Sequence, residues 1–389
     1  MSMSIKKLEL VPLIIAGCAF CLLHPWFLWG ISNYVRFGFF PALYLLATVP
    51  NLDLRSHSRF PMFISLFALL VFVCLIQGFN IAYSFSILSL CVVPFLKEDV
   101  FRKALYYFEV ILAVFLGGGV FVQILLLLDI PLSGYYLAPL NEEFYMGYTV
   151  YPPFLVVRNG IFDVFRFFGP FDEPGVVGTV SVFVLYCERY NMKKWYNLLI
   201  FIGAIFSFSF MFIAASLLYI VFAYIKKPSK AIFLVLLIAS FYAVTKDIPQ
   251  FKQAVYDRFE WDAAAGKFEG DKRYGDSQKE YIESIRGTSD YFFGDHGKSE
   301  GEFVGARSYM DAIIRFGFVF CFLYIVWFVA FARMKKLSWY HTFVFLAILL
   351  LNLYQRPNFL SYSYMFLYTS FILNWRAEEQ LNGEKKYLK

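Results

Sequence analysis

Charge is scarce in this chain. Asp, Glu, Lys and Arg make up 16% of its 389 residues, where soluble domains run near ~25%. A surface that faces water all round needs more, so the composition points away from a soluble domain. Cysteine is missing where a disulfide framework would need it. Cys18, Cys21, Cys74, Cys91, Cys187 and Cys321 lie in or beside apolar runs, and neither long polar stretch holds one. The Cys18-x-x-Cys21 pair sits inside an apolar run without partner ligands, so zinc or disulfide chemistry is not expected. A small-residue cleavage site is also missing after the first apolar run, which follows Lys6 and Lys7 and reads as a retained span. No internal repeat or low-complexity tract is visible.

What is present is apolar. Hydrophobic residues make up 60% of the chain and Phe alone numbers 49, which suits a lipid-facing surface. A spanning helix needs roughly 20 mostly apolar residues. Candidate runs fall at about 10–30, 34–51, 60–80, 82–97, 104–130, 175–190, 196–210, 211–225, 231–247, 309–332, 338–354 and 358–375. The net charge of +6 reads as anchoring on the cytoplasmic side rather than as nucleic-acid binding. Lys6/Lys7, Arg55/Arg59, Lys97/Arg102/Lys103, Arg189/Lys193/Lys194, Lys226/Lys227/Lys230, Arg333/Lys335/Lys336 and Arg376/Lys385/Lys386 all fall inside if there are twelve crossings. Residues 196–225 are long for one helix and short for two. Basic clusters on both sides require an even number of crossings there, met by two short spans or a re-entrant pair around Ser207–Ser209.

The sequence therefore predicts an all-α, polytopic membrane protein of about 12 transmembrane helices in one integral domain (1–389). It would sit in a bacterial inner membrane with both termini cytoplasmic. Two large loops, 131–174 and 248–308, fall on the periplasmic side. The second carries 10 Lys/Arg and 13 Asp/Glu between Lys246 and Arg307, whereas the cytoplasmic loops are short. Function is expected on the outer face.

The first loop ends in Arg158-Asn-Gly-Ile-Phe-Asp-Val-Phe-Arg166-Phe-Phe-Gly169-Pro-Phe-Asp172-Glu173-Pro174-Gly175, and a helix follows at once. Glu173 sits near the positive end of that helix, and Pro174 suits its first turn. Asp172 and Glu173 could simply cap the helix, with Arg158 and Arg166 reaching for lipid phosphates. The second loop holds Arg258, Arg273, Arg286, His296 and Arg307, with a turn cluster at Gly294-Asp-His-Gly297. A guanidinium fork grips phosphate or pyrophosphate bidentately. Each of these arginines could equally serve a salt bridge in an acidic loop. His24 and His341 lie in apolar surroundings and read as packing residues. Glu109 and Arg315 are the clearest charges inside apolar runs.

The stretch Arg166-Phe-Phe-Gly169-Pro-Phe171-Asp-Glu173-Pro174 resembles the Arg-x-x-Gly-x-Phe-x-Asp/Glu-Pro signature of the O-antigen polymerase and ligase superfamily (Wzy and WaaL types). Arg158 to Gly169 and Arg286 to Gly297 fit the Arg-x10-Gly spacing of Wzy loops. The second loop resembles the family's Arg…Trp…Gly-x-Gly…His-Asn-Ser-Tyr-Leu arrangement. Arg273 stands for the arginine, Gly294 to Gly297 for the glycine turn, and Ser308-Tyr309-Met310-Asp311 for the final motif. The resemblance covers roughly residues 150–320. Two departures stand out: no tryptophan lies near Gln278, and the His-Asn pair reads Ala306-Arg307. The missing histidine favours a polymerase over a ligase.

The resemblance implies a membrane glycosyltransferase of the GT-C-like type. It would join undecaprenyl-pyrophosphate-linked repeat units, with no metal, cofactor, nucleotide sugar or nucleic acid. A chain-length-regulating co-polymerase and a flippase would be its partners, alongside membrane lipids. Arg166 and Arg273 would stabilise the leaving pyrophosphate, with Arg158, Arg286, Arg307 and Tyr309 binding substrate. Glu173, and second His296, would be the general base. The alternatives are a ligase, a lipid-linked oligosaccharide flippase, which would place ionisable groups at mid-membrane, and a scaffold.

Overall fold

A computed structural model describes residues 9–32, 35–54, 58–77, 81–137, 147–158, 166–224, 276–295, 309–356 and 358–387, with isolated positions between 225 and 275. The described residues form thirteen α-helices: α1 (Leu10–Cys21), α2 (Phe40–Thr48), α3 (Arg59–Gln77), α4 (Ile81–Val92), α5 (Glu98–Leu127), α6 (Pro174–Cys187), α7 (Trp195–Phe206), α8 (Phe210–Tyr224), α9 (Asp276–Ile285), α10 (Ser289–Phe293), α11 (Tyr309–Met334), α12 (Trp339–Gln355) and α13 (Tyr362–Tyr387). Helices α3, α5 and α11 are long and apolar enough to cross a membrane. Helices α1, α6, α7, α8 and α12 are apolar but of 10–17 residues, so each is shorter than the expected span. The run 231–247 lies largely outside the described residues.

The first long polar segment, 131–174, is not wholly irregular. It holds an antiparallel sheet of β1 (Tyr135–Leu137), β2 (Tyr148–Tyr151) and β3 (Leu155–Arg158) in the order β1-β2-β3. Tyr148-Thr-Val-Tyr alternates buried and half-buried positions, the period-2 pattern of aromatic and β-branched residues that suits a half-covered strand. Trp26, Trp29 and Leu137 pack on Tyr148, Val150 and Val156, which closes the sheet over the end of α1. A second pair, β4 (Trp261–Asp262) and β5 (Lys267–Phe268), lies in the second loop. The all-α expectation thus holds for the helical body, with these small sheets added.

Residues 196–225 resolve into a helical hairpin. Helices α7 and α8 meet at Ser207–Ser209, where Phe208 takes φ +46° and Ser209 abuts Gly178 of α6. At 12 and 15 residues the arms reach about 18 and 22 Å, against a hydrocarbon thickness near ~30 Å. Both free ends face the same side: the Tyr219 hydroxyl of α8 donates to the Arg189 carbonyl, just before α7, at 2.9 Å.

Helix α11 breaks at Gly317 (φ +79°, ψ 155°). A β-carbon there would lie 2.5–2.6 Å from Phe293 backbone atoms, so only glycine lets α10 dock on the kink. The Asp295 N–H donates to the Ile314 carbonyl at 2.8 Å and fixes that docking. The α10 part of the second loop is thereby tied to the helical body.

The helices share one strongly charged end. Glu98, the first residue of α5, lies 2.5 Å from Arg376, 3.6 Å from Lys335, 3.9 Å from Arg59 and 4.0 Å from Arg102. The Lys103–Glu9 pair (2.7 Å) brings the start of α1 to the same end.

Candidate functional site

The segment 166–175 is held by its apolar members. Phe167 and Phe171 are fully buried. The backbone is tied from three directions. Phe167 N–H donates to the Phe206 carbonyl (2.9 Å), Val156 N–H to the Gly169 carbonyl (2.8 Å), and Trp26 N–H to the Pro170 carbonyl (2.8 Å). Gly169 takes φ +56°, a conformation that costs glycine little. The phenylalanines and glycine of the family-like signature therefore act first as anchors. They deliver Asp172 and Glu173 to the start of α6.

Glu173 occupies the N-cap position, yet its side chain accepts no capping bond. It pairs with Arg356, the residue that closes α12. Pro174 stands in the first turn as expected. Gly175 lies flush against the same guanidinium, and a β-carbon there would collide with Arg356 Nη2. Arg356 is 24% exposed and Glu173 47%, so the pair stands at the edge of solvent. Burial pulls the Arg356 pKa down. Glu173, then Tyr364 and Asp172, outweigh it and hold the pKa above its ordinary value.

Tyr309, at the start of α11, stacks on Tyr354 of α12 with centroids 5.5 Å apart and planes at 17°. Tyr354 is two residues before Arg356. The ends of α6, α12 and α13 thus bring Asp172, Glu173, Arg356 and Tyr364 together, while Tyr309 packs on Tyr354 in the last turn of α12. This is the far end of α12 from the Glu98 network, one helix of about 25 Å away. The arrangement can hold an anionic group at a half-buried guanidinium, with carboxylates and a hydroxyl alongside.

The other expected residues are placed unevenly. Arg166 is half-buried at the bend before Phe167, and Arg158 ends β3 opposite Tyr148. Arg286 is exposed after α9 and pairs with no carboxylate among the described residues. Arg273, His296 and Arg307 lie outside the described residues. His341 packs edge-on against Trp375, 4.5 Å between centroids, in keeping with a packing role. No cluster of three or more His, Cys, Asp or Glu suited to a metal is found among the described residues.

Arg356 and Tyr364 are absent from the sequence-based candidates. A signal existed: Arg356 sits in the short 355–358 connection, which the twelve-run scheme turns outward. An arginine in a short outer loop runs against the positive-inside bias and needs a reason of its own.

The fold defines a class, a helical chain in which three helices among the described residues are long and apolar enough to cross a membrane. No family model, curated protein or solved structure matches the chain.

Proposed function

We propose that the chain is a twelve-span, GT-C-like membrane glycosyltransferase of the O-antigen polymerase type, with the Glu98 end in the cytoplasm of a bacterium and the Glu173–Arg356 end in the periplasm. Its donor is a glycan on undecaprenyl pyrophosphate, and its acceptor is a second lipid-linked repeat unit. The acceptor hydroxyl oxygen bonds to the donor's anomeric carbon, the bond from that carbon to the pyrophosphate oxygen breaks, and undecaprenyl pyrophosphate leaves. The hydroxyl proton passes to a carboxylate, for which Glu173 is the first candidate. His296 is the second candidate.

One observation carries this reading: a half-buried arginine, Arg356, held by Glu173 of the family-like signature with Gly175 flush against it. Charge grows on the leaving pyrophosphate in the transition state, and preoriented guanidinium groups lower its energy. Arg356 joins Arg166 and Arg273 in that role, with Arg158, Arg286, Arg307 and Tyr309 binding the two glycans. Burial of Glu109 in α5 favours one rival, a flippase, since such transporters place ionisable groups in the membrane.

Deleting the gene separates the readings on a polysaccharide gel. A single repeat unit on otherwise normal core is the expected result. Accumulated lipid-linked polymer would mean a ligase, and repeat units trapped on the cytoplasmic leaflet would mean a flippase. Restoring the gene as Arg166→Ala should leave the single-unit pattern unchanged, and long chains from that variant would remove Arg166 from the mechanism.

A further inference from the structure

The sheet β1–β3 and the segment 166–173 form one layer, joined where Val156 N–H donates to the Gly169 carbonyl. The helices that meet this layer end-on are short. Helix α6 has 14 residues, and α1 and α7 have 12 each, which gives about 21 and 18 Å. Helix α3, which packs on α4 and α11 instead, has 19 residues, about 28 Å. Helix α5 is long, but the layer reaches part-way down it. A β-carbon at Gly117, Gly118 or Gly119 would lie 2.9 Å from Leu199 of α7, 2.7 Å from the Phe154 ring and 2.8 Å from the Phe167 ring, respectively. Three glycines inside a helix cost it stability, and this close approach is what they serve. Phe154 and Phe167 thereby settle at Gly118 and Gly119, well short of the end of α5 at Leu127.

Two levels bound the apolar zone on the flank of α6, α7 and α8. At the first stand Tyr106 and Trp195, both about half-exposed, with the Arg102 and Lys194 cations beside them. Exposed tyrosine, tryptophan and cations at helix ends mark the headgroup level of a bilayer. At the second stand the solvent-edge pair Glu173–Arg356 and strand β1. Tyr135 and Tyr136 of β1 are exposed, and among the described residues the strand pairs on one side only. An open sheet edge does not occur in hydrocarbon, so the hydrocarbon ends below this level. Three measures put the two levels about 20 Å apart: α5 from Tyr106 to Gly119, the length of α6, and the length of α7. Between them Leu198, Ile205, Leu217 and Val221 are 40–54% exposed and apolar.

An undeformed hydrocarbon core is near ~30 Å, so this flank falls short by about 10 Å. Either the helices or the bilayer must adjust. The helices have no slack. Phe167 N–H ties the layer to the Phe206 carbonyl at the hairpin tip, and Ser209 abuts Gly178 of α6. Tilting would shorten their reach further. The adjustment therefore falls to the lipid.

We propose that the flank of α6, α7 and α8 is a lipid-facing surface that thins the bilayer beside it to about 20 Å of hydrocarbon, and that its partner is phospholipid with short or loosely packed tails. Headgroups are thereby drawn to the level of Glu173 and Arg356. The proposal rests on the membrane-spanning part of the proposed function and not on glycan transfer. Trp195 and Ile205 are exposed positions of α7, ten residues and about 15 Å apart. Each is replaced singly by cysteine in the full-length protein, with Cys21→Ser because every other native cysteine is buried. A nitroxide on each, in a dioleoylphosphatidylcholine bilayer, reports its depth below the nearer headgroups through collision with oxygen and with a nickel chelate. The two depths should sum to about 5 Å, the thinned hydrocarbon less the span between the labels. A sum near ~15 Å, as in an undeformed core, overturns the proposal. So does shielding of both labels from lipid-borne quenchers in a protein that elutes as a dimer, which makes a second copy the occupant. Wild-type protein in phosphatidylcholine nanodiscs supplies an arm without substitutions. Its melting temperature should fall by several degrees as monounsaturated tails lengthen from about 14 to about 22 carbons. A flat profile, or one that rises, overturns the proposal.

Discussion

The two ends of the bundle handle charge in opposite ways. At the Glu98 end, one carboxylate faces Arg59, Arg102, Lys335 and Arg376. Among the described residues, only Asp53, paired with Arg59, adds a second negative charge to this group. Cations are in surplus, and the group links α3, α5, the turn after α11, and α13. At the other end, one guanidinium meets Glu173 and lies near Asp172, and a glycine clears the way for it. A surplus spread over four elements suits a fastening. A single aimed cation with carboxylates beside it suits a site. If this contrast is sound, changes at the first end should lower stability, and changes at the second should lower activity.

The largest expected effect is on activity. Arg356→Ala should abolish glycan polymerisation, with membrane insertion and melting temperature close to wild type. Arg376→Ala should do the reverse: chains of normal length, and a melting temperature lowered by about 3–4 °C, as expected for a loss near ~1–2 kcal/mol in a chain of this size. A polysaccharide gel and a thermal melt on the same two preparations decide it. If Arg356→Ala makes long chains, the distinction between the ends collapses.

Gly175→Ala is the next test and a finer one. The added methyl meets the far end of a flexible side chain, so the fold can absorb it by moving the Arg356 guanidinium. Activity should fall by about 10²-fold, the scale on which a misplaced group near 1 Å out costs rate, with little change in melting temperature. Wild-type activity would mean that Arg356 has no fixed aim to lose.

Much of the body was legible in the amino-acid order because local signals report local structure. Pro174 marks the start of α6, and the polar break Ser207–Ser209 marks the hairpin between α7 and α8. Gly294, in the expected turn cluster, stands where the backbone turns to positive φ. Helix lengths were less legible. Hydropathy averages over flanking residues, so the run 10–30 contains a helix of only 10–21 before Pro25 and a short turn. The central pair at the candidate site was not legible at all. Glu173 and Arg356 are 183 residues apart, and no periodicity within either segment brings them together. Glu109 was visible as a charge in an apolar run, but its burial beside Glu188, Lys194, Tyr196 and Asn374 depends on packing that no local pattern reports.

The smallest expected effect probes the surplus itself. Lys335 is 3% exposed. Burial and the neighbouring Arg59 lower its pKa from 10.5 to about 8, against the pull of Glu98. The unfolded chain therefore holds this proton more fully than the folded one between pH 8 and 10.5, and stability rises with pH wherever the unfolded state binds more protons. Below pH 8 both states carry the charge and the full cost of burying it. Above 10.5 both have lost it. Lys335→Met removes the group, so the melting temperature of wild type minus variant should move in favour of wild type, by about 2–3 °C, as pH rises from 7.5 to 10.5. Glu98 keeps Arg59, Arg102 and Arg376 throughout, which is why losing the lysine charge should help rather than harm. A difference that moves the other way would show that Glu98 needs all four cations, and the end would then be balanced rather than in surplus.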